Sequence, residues 1–358
     1  MPKKKTYKAM GLMSGTSADG VDAAVVVTDG EQAIDFHGGL TLPYDEHLRT
    51  GLLEASQHNV PTDELLRLEK ELTLHHAEAV KQLTAQGGAA AEVDVIGFHG
   101  HTVRHIPRED LTLQIGNPWV LAEATGRPVV SDFRRHDMAL GGQGAPLVAM
   151  FHRALFADEA RPSVILNLGG VANITWLGKD DEIIAGDTGP GCGLLDEWVQ
   201  EMAGSHHDTD GRLASQGNIN EALVTEALSS EFFQKPLPKS ADRFDFDHVD
   251  VSGLSVEDGA ATLCAVTVQA IVRSVKQLTR KPLIVWVTGG GVHHPVIMQQ
   301  LSNHFDAVKS VSDRGLNPDT LEAECFAWLA VRHLRELPLT IPETTGCSGP
   351  TTGGTITC

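Results

Sequence analysis

Residues 7–28 hold two apolar runs separated by a short turn of small and hydroxylated residues. The runs cover residues 7–12 and 21–27, which predicts a strand, a tight turn and a second strand. Backbone N–H groups in such a turn can enclose an anion, while the carboxylate of Asp19 or Asp22 faces a cation. No Gly-Lys-Ser/Thr follows and a strand comes next, so this is not a Walker loop. The pattern indicates another class of ATP-using protein.

The same pattern recurs about 150 residues later, where Gly169 and Gly170 separate apolar runs at residues 163–168 and 171–177. Two ordinary hairpins, in which Gly and Asn merely supply positive φ, are the simplest interpretation of either unit alone. Together with the motifs below, the two units predict two related halves that face one cleft.

Composition narrows the class of protein. A chain of 358 residues exceeds the usual size of one hydrophobic core, which predicts two domains. With 28 basic and 47 acidic side chains the net charge is −19, which argues against nucleic acid or an anionic membrane as a partner. The five cysteines form no CxxC pair, and neither a signal peptide nor a run of about 20 apolar residues is evident. We therefore expect a cytoplasmic protein.

Apolar periodicity alternates between strands and helices, which predicts an α/β fold. Strands are predicted near residues 7–12, 21–28, 33–37, 93–98, 111–115, 128–130, 163–177, 182–185 and 283–287. Helices are predicted near residues 45–57, 63–85, 194–203, 217–233, 258–280, 294–303 and 318–336, with another ending near residue 156. Residues 235–251 break both periodicities and are typical of a functional loop or lid. The tail after residue 338 is predicted to be extended or frayed.

Two glycine-rich segments follow predicted strands and precede predicted helices. Asp187 lies in the first, residues 186–191, where an Asp is either a turn-former or helix cap, or a general base at the carboxyl end of a strand. The second contains Gly289, Gly290 and Gly291, whose backbone can lie flat against a nucleotide.

Two further segments carry polar side chains after predicted strands. His99 and His101 lack an evident third metal ligand, so hydrogen bonding to a polar ligand is the better role for His99. Arg134 and Arg135 are either a solvated surface pair or a bidentate grip on a carboxylate.

The motifs at residues 15–22, 97–102, 113–116, 132–134, 141–146, 167–175, 187–191 and 288–291 together resemble the anhydro-N-acetylmuramic acid kinase family. The resemblance covers about residues 7–345. It implies a two-domain actin/hexokinase-like ATPase fold, with mixed sheets flanked by helices and a central cleft. It also implies an enzyme that uses ATP and Mg²⁺ to phosphorylate 1,6-anhydro-N-acetylmuramic acid with hydrolytic opening of its anhydro ring. The product, N-acetylmuramic acid 6-phosphate, belongs to peptidoglycan recycling.

The resemblance also implies residue roles. Asp187 is the general base. The metal is assigned to Asp19 on other grounds, because this carboxylate sits inside the turn of small and hydroxylated residues. The ATP-binding set is Gly15, Thr16, Ser17, Ala18, Asp19, Gly20, Val21, Asp22, Gly169, Gly170, Asn173, Gly289, Gly290 and Gly291. The sugar-binding set is His99, Asp132, Arg134 and Arg135. The implied domains are residues 1–133, to which the tail 340–358 returns, and residues 134–339; a homodimer is implied as well.

The chain departs from the family pattern at Ala18, at Cys192 and in residues 239–244, where Arg243 is retained. Three other interpretations remain at this point. A kinase of the same superfold acting on another small sugar or carboxylic acid would share both hairpins. A nucleotide-gated interaction protein of the actin type would need a filament surface or a peptide-binding domain. A retaining glycosidase would explain paired carboxylates but not the phosphate hairpins.

Overall fold

The computed structural model describes residues 5–241 and 243–358. Residues 1–4, which include most of the basic start, and Asp242 of the segment that departs from the family pattern lie outside the described residues. The chain divides into two compact units. The first comprises the residues up to Asp158 together with Asp319–Cys358, and the second is Glu159–Pro318.

Twelve strands lie within the described residues. They are β1 Tyr7–Ser14, β2 Gly20–Thr28, β3 Ile34–Pro43, β4 Val95–Ile106, β5 Leu111–Ile115, β6 Val129–Ser131, β7 Ser163–Leu168, β8 Val171–Leu177, β9 Ile183–Pro190, β10 Ile284–Thr288, β11 Val308–Ser310 and β12 Thr355–Thr357.

Twelve α-helices lie in the same ranges. They are α1 Glu46–Gln57, α2 Thr62–Ala85, α3 Pro118–Thr125, α4 Arg135–Ala139, α5 Ala149–Leu155, α6 Gly193–Ala203, α7 Glu221–Ala227, α8 Glu231–Gln234, α9 Val256–Lys276, α10 Pro295–His304, α11 Leu321–Leu334 and α12 Pro342–Thr345. None of these helices is long and apolar enough to cross a membrane.

The first unit is built on a seven-stranded mixed sheet in the order β12-β6-β4-β1-β2-β3, with β5 paired to β4. The hairpin partners β1 and β2 are antiparallel, as are β2 and β3, whereas β4 runs parallel to β1. Helix α11 packs directly on this sheet at Gly11 of β1 and Gly97 of β4, which are paired in the sheet. A Cβ on Gly11 would lie 1.8 Å from the Ala323 carbonyl oxygen, and one on Gly97 would lie 2.1 Å from that of Phe326.

The second unit is built on a five-stranded sheet in the order β11-β10-β7-β8-β9. Its strands β7, β8 and β9 form an antiparallel meander, and β10 runs parallel to β7. Helix α9 is buried along nearly its whole length and forms a core with side chains of the sheet, including Leu166 and Val285. A Cβ on Gly259 of α9 would lie 2.5 Å from the Trp198 ring of α6, so the two helices also approach closely.

The two sheets repeat one topology. In each, the first strand is flanked on one side by an antiparallel second and third strand, and on the other by a parallel strand supplied later in the chain. The hairpins β1–β2 and β7–β8 therefore occupy equivalent places. The predicted α/β fold with mixed sheets flanked by helices is confirmed.

Several elements differ from the sequence-based expectations. Strand β9 runs through Asp187 to Pro190, and β4 runs through His99 to Ile106, so both residues lie within strands rather than in loops after them. Pairing with β8 and with β5 extends these strands beyond their apolar runs. The helix predicted over residues 217–233 is two helices, α7 and α8, because Ser230 is extended between them.

The compact units also differ from the predicted domain boundaries at 133/134 and 339/340. Residues 134–158 and helix α11 belong to the first unit, since α11 lies on β1, β2 and β4. The tail ends in the first sheet, where β12 pairs antiparallel with β6. Before that strand, an isolated antiparallel bridge pairs Thr340 with Thr351.

Candidate functional site

The turn between β1 and β2 spans residues 15–19. It is closed by a hydrogen bond from the Ala18 N–H to the Gly15 carbonyl oxygen, 3.1 Å apart, with Ala18 at φ 52°. Ala18 itself is fully buried, whereas the Asp19 carboxylate is exposed and lies 3.8 Å from Nε of Arg49. The turn therefore has an apolar anchor and presents a carboxylate to solvent.

Asp22 lies on β2, close to the turn, and is largely withdrawn from solvent. Burial, and after it the charges of Glu322, Asp319 and Asp19, raise the pKa of Asp22 to about 7. The hydrogen bond that the Thr41 hydroxyl donates to the carboxylate acts in the opposite direction. This part of the first unit thus gathers four carboxyl groups, although within residues 5–241 and 243–358 no three His, Cys, Asp or Glu side chains form a ready metal cage.

His99 on β4 and Arg134 before α4 are hydrogen-bonded to each other. Nδ1–H of His99 donates to the Gly100 carbonyl oxygen at 3.0 Å, so Nε2 is the acceptor for Nε and Nη2 of Arg134 at 3.1 and 2.9 Å. Burial and then the charge of Arg134 hold the pKa of His99 well below its ordinary value. A neutral imidazole therefore orients the guanidinium, which also donates to the Gly144 carbonyl oxygen at 2.8 Å.

The neighbouring arginine is placed differently. Nε of Arg135 donates to Oδ1 of Asp132 at 2.8 Å, and the Arg135 side chain is 70% exposed. Asp132 has φ 60° and directly follows β6. The two adjacent arginines thus have separate partners, and Arg134 is the one embedded in a polar network.

Asp137 on α4 is a buried carboxylate that the sequence analysis did not single out. Its Oδ1 accepts from the Gly144 N–H at 2.7 Å, and its Oδ2 accepts from the hydroxyls of Thr340 and Thr345. A Cβ on Gly142 would lie 2.1 Å from Oδ1. Asp137 therefore ties the glycine-rich turn at residues 141–146, where Arg134 is anchored, to the C-terminal segment.

In the second unit three glycine segments converge. The carbonyl oxygens of Gly169 and Gly170, in the β7–β8 turn, accept from the N–H groups of residues 191–193. A Cβ on Gly191 would lie 2.1 Å from the Gly169 oxygen, and one on Gly291 would lie 2.6 Å from Cβ of Leu168. Gly290, in contrast, has open space where its Cβ would be. Glycine is thus required for close backbone packing at two of these positions, while Gly290 is exposed to solvent.

Asp187 lies next to this convergence, opposite Asn173 of β8 and beside a bulge in the β8–β9 pairing. Its side chain is 6% exposed. Oδ2 accepts from the Ser240 hydroxyl at 3.0 Å and from the Ala241 N–H at 2.8 Å, and the Asp187 N–H donates to the Lys239 carbonyl oxygen at 2.7 Å. One carboxylate oxygen is therefore held in a fixed orientation by a segment more than fifty residues later in the chain.

The segment over residues 235–251 thus has a clear structural task. Lys239 is buried, donates to the Phe232 carbonyl oxygen at 2.9 Å, and lies 4.3 Å from the centre of the Phe232 ring. Burial lowers the pKa of Lys239 to about 8, against the attraction of Asp187. The sequence analysis predicted a functional loop or lid here but did not single out Ser240, because its partner Asp187 is distant in sequence.

Glu322 is a second carboxyl group that sequence reasoning missed. Burial raises the pKa of Glu322, while the charge of Arg134 lowers it. A signal was available, because Glu322 and Glu324 interrupt the apolar residues at the start of helix α11.

Comparisons with known sequences indicate the same family over nearly the whole chain. A family model for anhydro-N-acetylmuramic acid kinase matches residues 7–358. A protein of Acidiphilium cryptum (strain JF-5) named anhydro-N-acetylmuramic acid kinase is 48% identical over 356 residues, which cover 97% of each chain. A relative of the same name from Paramagnetospirillum magneticum is 47% identical over 97% of this chain and 98% of its own.

Among solved structures, an activator of the 2-hydroxyisocaproyl-CoA dehydratase from Clostridium difficile with bound ADPNP superposes with a TM-score of 0.46. It is 13% identical in sequence, and the match covers 92% of this chain and 96% of that one.

Proposed function

Because the chain belongs to the anhydro-N-acetylmuramic acid kinase family, we propose that it phosphorylates 1,6-anhydro-N-acetylmuramic acid with ATP and opens the anhydro ring by hydrolysis. The product is N-acetylmuramic acid 6-phosphate, which places the reaction in peptidoglycan recycling. The observation that carries this proposal is the environment of Asp187, a buried carboxylate oriented by Ser240 and Ala241 beside a glycine-lined turn.

The two equivalent hairpin turns are the proposed phosphate-binding elements. Residues 15–22 of the first unit and Gly169, Gly170 and Asn173 of the second are assigned to ATP. Turns of small residues offer backbone N–H donors to phosphate oxygens, and positioning supplies most of the rate in phosphoryl transfer. The open space at Gly290 supports a nucleoside contact for residues 289–291.

Mg²⁺ is the proposed metal, held through Asp19 with Asp22 nearby. The fit rests on geometry: the Asp19 carboxylate is exposed in the turn, and Asp22 lies on the strand that leaves it. A protein site with one or two carboxylates is typical of Mg²⁺ bound together with nucleotide phosphates. When bound, the metal neutralises charge on the transferred phosphoryl group.

Arg134 is the proposed partner of the substrate's lactyl carboxylate, with His99 and Asp132 lining the sugar site. The neutral His99 ring holds the guanidinium while accepting from two of its nitrogens. A guanidinium can pair with a carboxylate in bidentate geometry. Arg135 has an exposed ion pair with Asp132, so we assign it the lesser share of this role.

The bond changes follow from the substrate's chemistry. The anhydro bridge leaves no free hydroxyl at the sixth carbon, so a base has no proton to remove there. Asp187 instead takes a proton from water as the water oxygen bonds to the anomeric carbon and the bond from that carbon to the bridging oxygen breaks. The released oxygen attacks the γ-phosphorus, and the bond to ADP breaks. One oriented carboxylate thus serves both events.

Heavy-oxygen water tests the coupling. With ATP, Mg²⁺ and the anhydro sugar, we expect a product with one labelled oxygen at the anomeric carbon and none in the new phosphate ester. Mass spectrometry of early samples, compared with unlabelled product added to the same water, separates incorporation from slow exchange at the reducing end. Label in the phosphate ester, or a product with an intact bridge, contradicts the mechanism. Phosphorylation only of an already open sugar would instead indicate a plain sugar kinase.

We further propose that the enzyme works in the cytoplasm as a homodimer. All five cysteines are free, and Cys264, Cys325 and Cys347 are buried, which suits a reducing compartment. The dimer rests on the family resemblance alone, and sedimentation analysis of the purified protein measures it directly.

A further inference from the structure

Tyr44 contacts both ends of the first phosphate turn. It follows β3 directly and is 8% exposed. Its backbone N–H donates to the Asp19 carbonyl oxygen at 3.1 Å, at the end of the turn that leads into β2. Its hydroxyl donates to Oγ of Ser14 at 2.7 Å, at the end of β1 where the turn begins. One residue therefore spans the turn with a main-chain and a side-chain hydrogen bond.

The hydroxyl of Tyr44 is the first member of a buried series of hydrogen bonds. Oγ of Ser14 lies 2.9 Å from Nδ1 of His101, the residue paired with Ser14 in the sheet. Nε2 of His101 lies 3.4 Å from Oγ of Ser56, which donates to the Leu52 carbonyl oxygen at 2.8 Å. All these side chains are buried.

The donors in this series have a single consistent order. Burial lowers the pKa of His101 to about 4, so the ring is neutral and carries one N–H. Since Ser56 donates to Leu52, the His101 N–H is on Nε2 and donates to Ser56. Nδ1 then accepts from the Ser14 hydroxyl, which in turn accepts from Tyr44. Because the series ends on a backbone carbonyl, it has no outlet for a proton and serves to hold groups in place.

We infer that Tyr44 is a positioning residue for nucleotide binding, which holds the two ends of the residue 15–19 turn at the separation required by ATP phosphates. This inference rests on the proposed function, in which that turn binds ATP. The fixed donor order gives the Ser14 hydroxyl one orientation and so removes a rotational freedom at the start of the turn. A preorganised turn binds its ligand more tightly because less ordering remains to be done on binding.

Phenylalanine at position 44 isolates the hydroxyl. Tyr44→Phe keeps the ring, which packs 5.0 Å from the His75 ring, and keeps the backbone bond to Asp19. The chain offers a matched control, because its only other tyrosine is Tyr7, at the start of β1 and therefore at the end of that strand away from the turn. Tyr7→Phe removes a hydroxyl from the same sheet without touching the turn.

Titration calorimetry with a non-hydrolysable ATP analogue and Mg²⁺ is the first measurement. We expect Tyr44→Phe to weaken binding of the analogue by about five- to tenfold, the size of effect expected from losing one buried hydrogen bond. Tyr7→Phe should leave the affinity for the analogue unchanged. In steady-state kinetics the KM for ATP should rise by a similar factor, while the KM for the anhydro sugar stays within about twofold of the original protein.

A purely structural role predicts a different result. Tyr44→Phe would then lower the melting temperature and leave the analogue's affinity equal to that of Tyr7→Phe, which overturns the inference but not the proposed function. If the unmodified protein does not bind the analogue, the proposed function fails and the inference fails with it. Equal increases in both KM values also contradict a role confined to the nucleotide turn.

His101 provides an independent second test. The Oδ1 atom of His101→Asn can accept from Ser14 as Nδ1 does, so this variant should keep most of the analogue's affinity. His101→Leu has no acceptor and should lose affinity by at least as much as Tyr44→Phe. Equal affinities in the two His101 variants, both folded by circular dichroism, overturn the inference.

Discussion

Glu324 is a buried carboxyl group whose removal should stabilise the enzyme in a pH-dependent way. It lies on α11 and is 6% exposed. Oε1 accepts from the Thr320 hydroxyl at 3.2 Å, while Oε2 is buried without a hydrogen-bond partner among the described residues. Burial raises the pKa of Glu324 from 4.5 to about 7, against the smaller effect of the Thr320 hydrogen bond.

The sign and size of the effect follow from linkage between protonation and folding. Because the folded-state pKa is raised, the folded protein retains the proton at a pH where the unfolded chain has released it. The contribution of Glu324 to stability is fully present below about pH 4.5 and is lost as the pH rises through about 7. The difference of 7 − 4.5 = 2.5 units corresponds to about 3 kcal/mol.

Glu324→Gln is neutral at every pH and should escape this loss. Between about pH 5.5 and about pH 8.5, its stability relative to the unmodified protein should rise by about 2 kcal/mol, the part of the difference that falls in this window. In thermal melts this is a relative gain of several degrees at the higher pH, since about 1 kcal/mol shifts the melting temperature of a unit of this size by about 2–4 °C.

The matched control is Glu123→Gln, which removes an exposed carboxylate from α3 of the same unit. Its melting temperature should follow that of the unmodified protein across the pH range, because folding does not remove this side chain from solvent. A Glu324→Gln offset that stays constant with pH would refute the reasoning, since it would reflect a change in packing rather than the cost of a buried charge.

Three predictions concern the reaction. Asp187→Asn should fold and bind the ATP analogue but lose kcat by at least about 10²–10⁴-fold, the usual cost of losing a general base, and a kcat near that of the unmodified protein would remove Asp187 from that role. Asp19→Ala should weaken Mg²⁺-dependent binding of the analogue in calorimetry far more than sugar binding; unchanged affinity together with unchanged kcat would leave Asp19 a turn residue. Arg134→Ala should raise the KM for the sugar more than that for ATP, because truncating a desolvated Arg–carboxylate pair costs about 2–5 kcal/mol. If the Arg134→Ala/Arg135→Ala double variant also keeps its sugar KM, neither arginine binds the lactyl carboxylate.

Local pattern was sufficient for the fold class and for the elements that carry the motifs. Apolar runs interrupted by glycine predicted both hairpins, and β1, β2, β7 and β8 lie where those runs are. The periodicity of α2 and α9 was equally clear from the sequence. These features depend on residues that are neighbours along the chain, where the same side chains determine both the backbone conformation and the face that is buried.

Element ends were less predictable where a partner strand decides them. Asp187 follows an apolar run and has glycine on one side, so the sequence suggested a loop. Pairing with β8 carries β9 through it to Pro190. His99 was misplaced for the same reason, because β5 extends β4 well beyond Phe98.

The connections that orient the candidate site were decided only by tertiary structure. Ser240 reaches Asp187 from 53 residues away, and Tyr44 reaches Ser14 from 30 residues away. A glycine-rich motif after a predicted strand marked Asp187 as a candidate, but no local pattern distinguishes a serine or tyrosine that will meet such a group from one that faces solvent. The sequence by itself determined which segments form strands, turns and helices; the packing of distant segments decided which polar groups are desolvated and therefore must pair with each other.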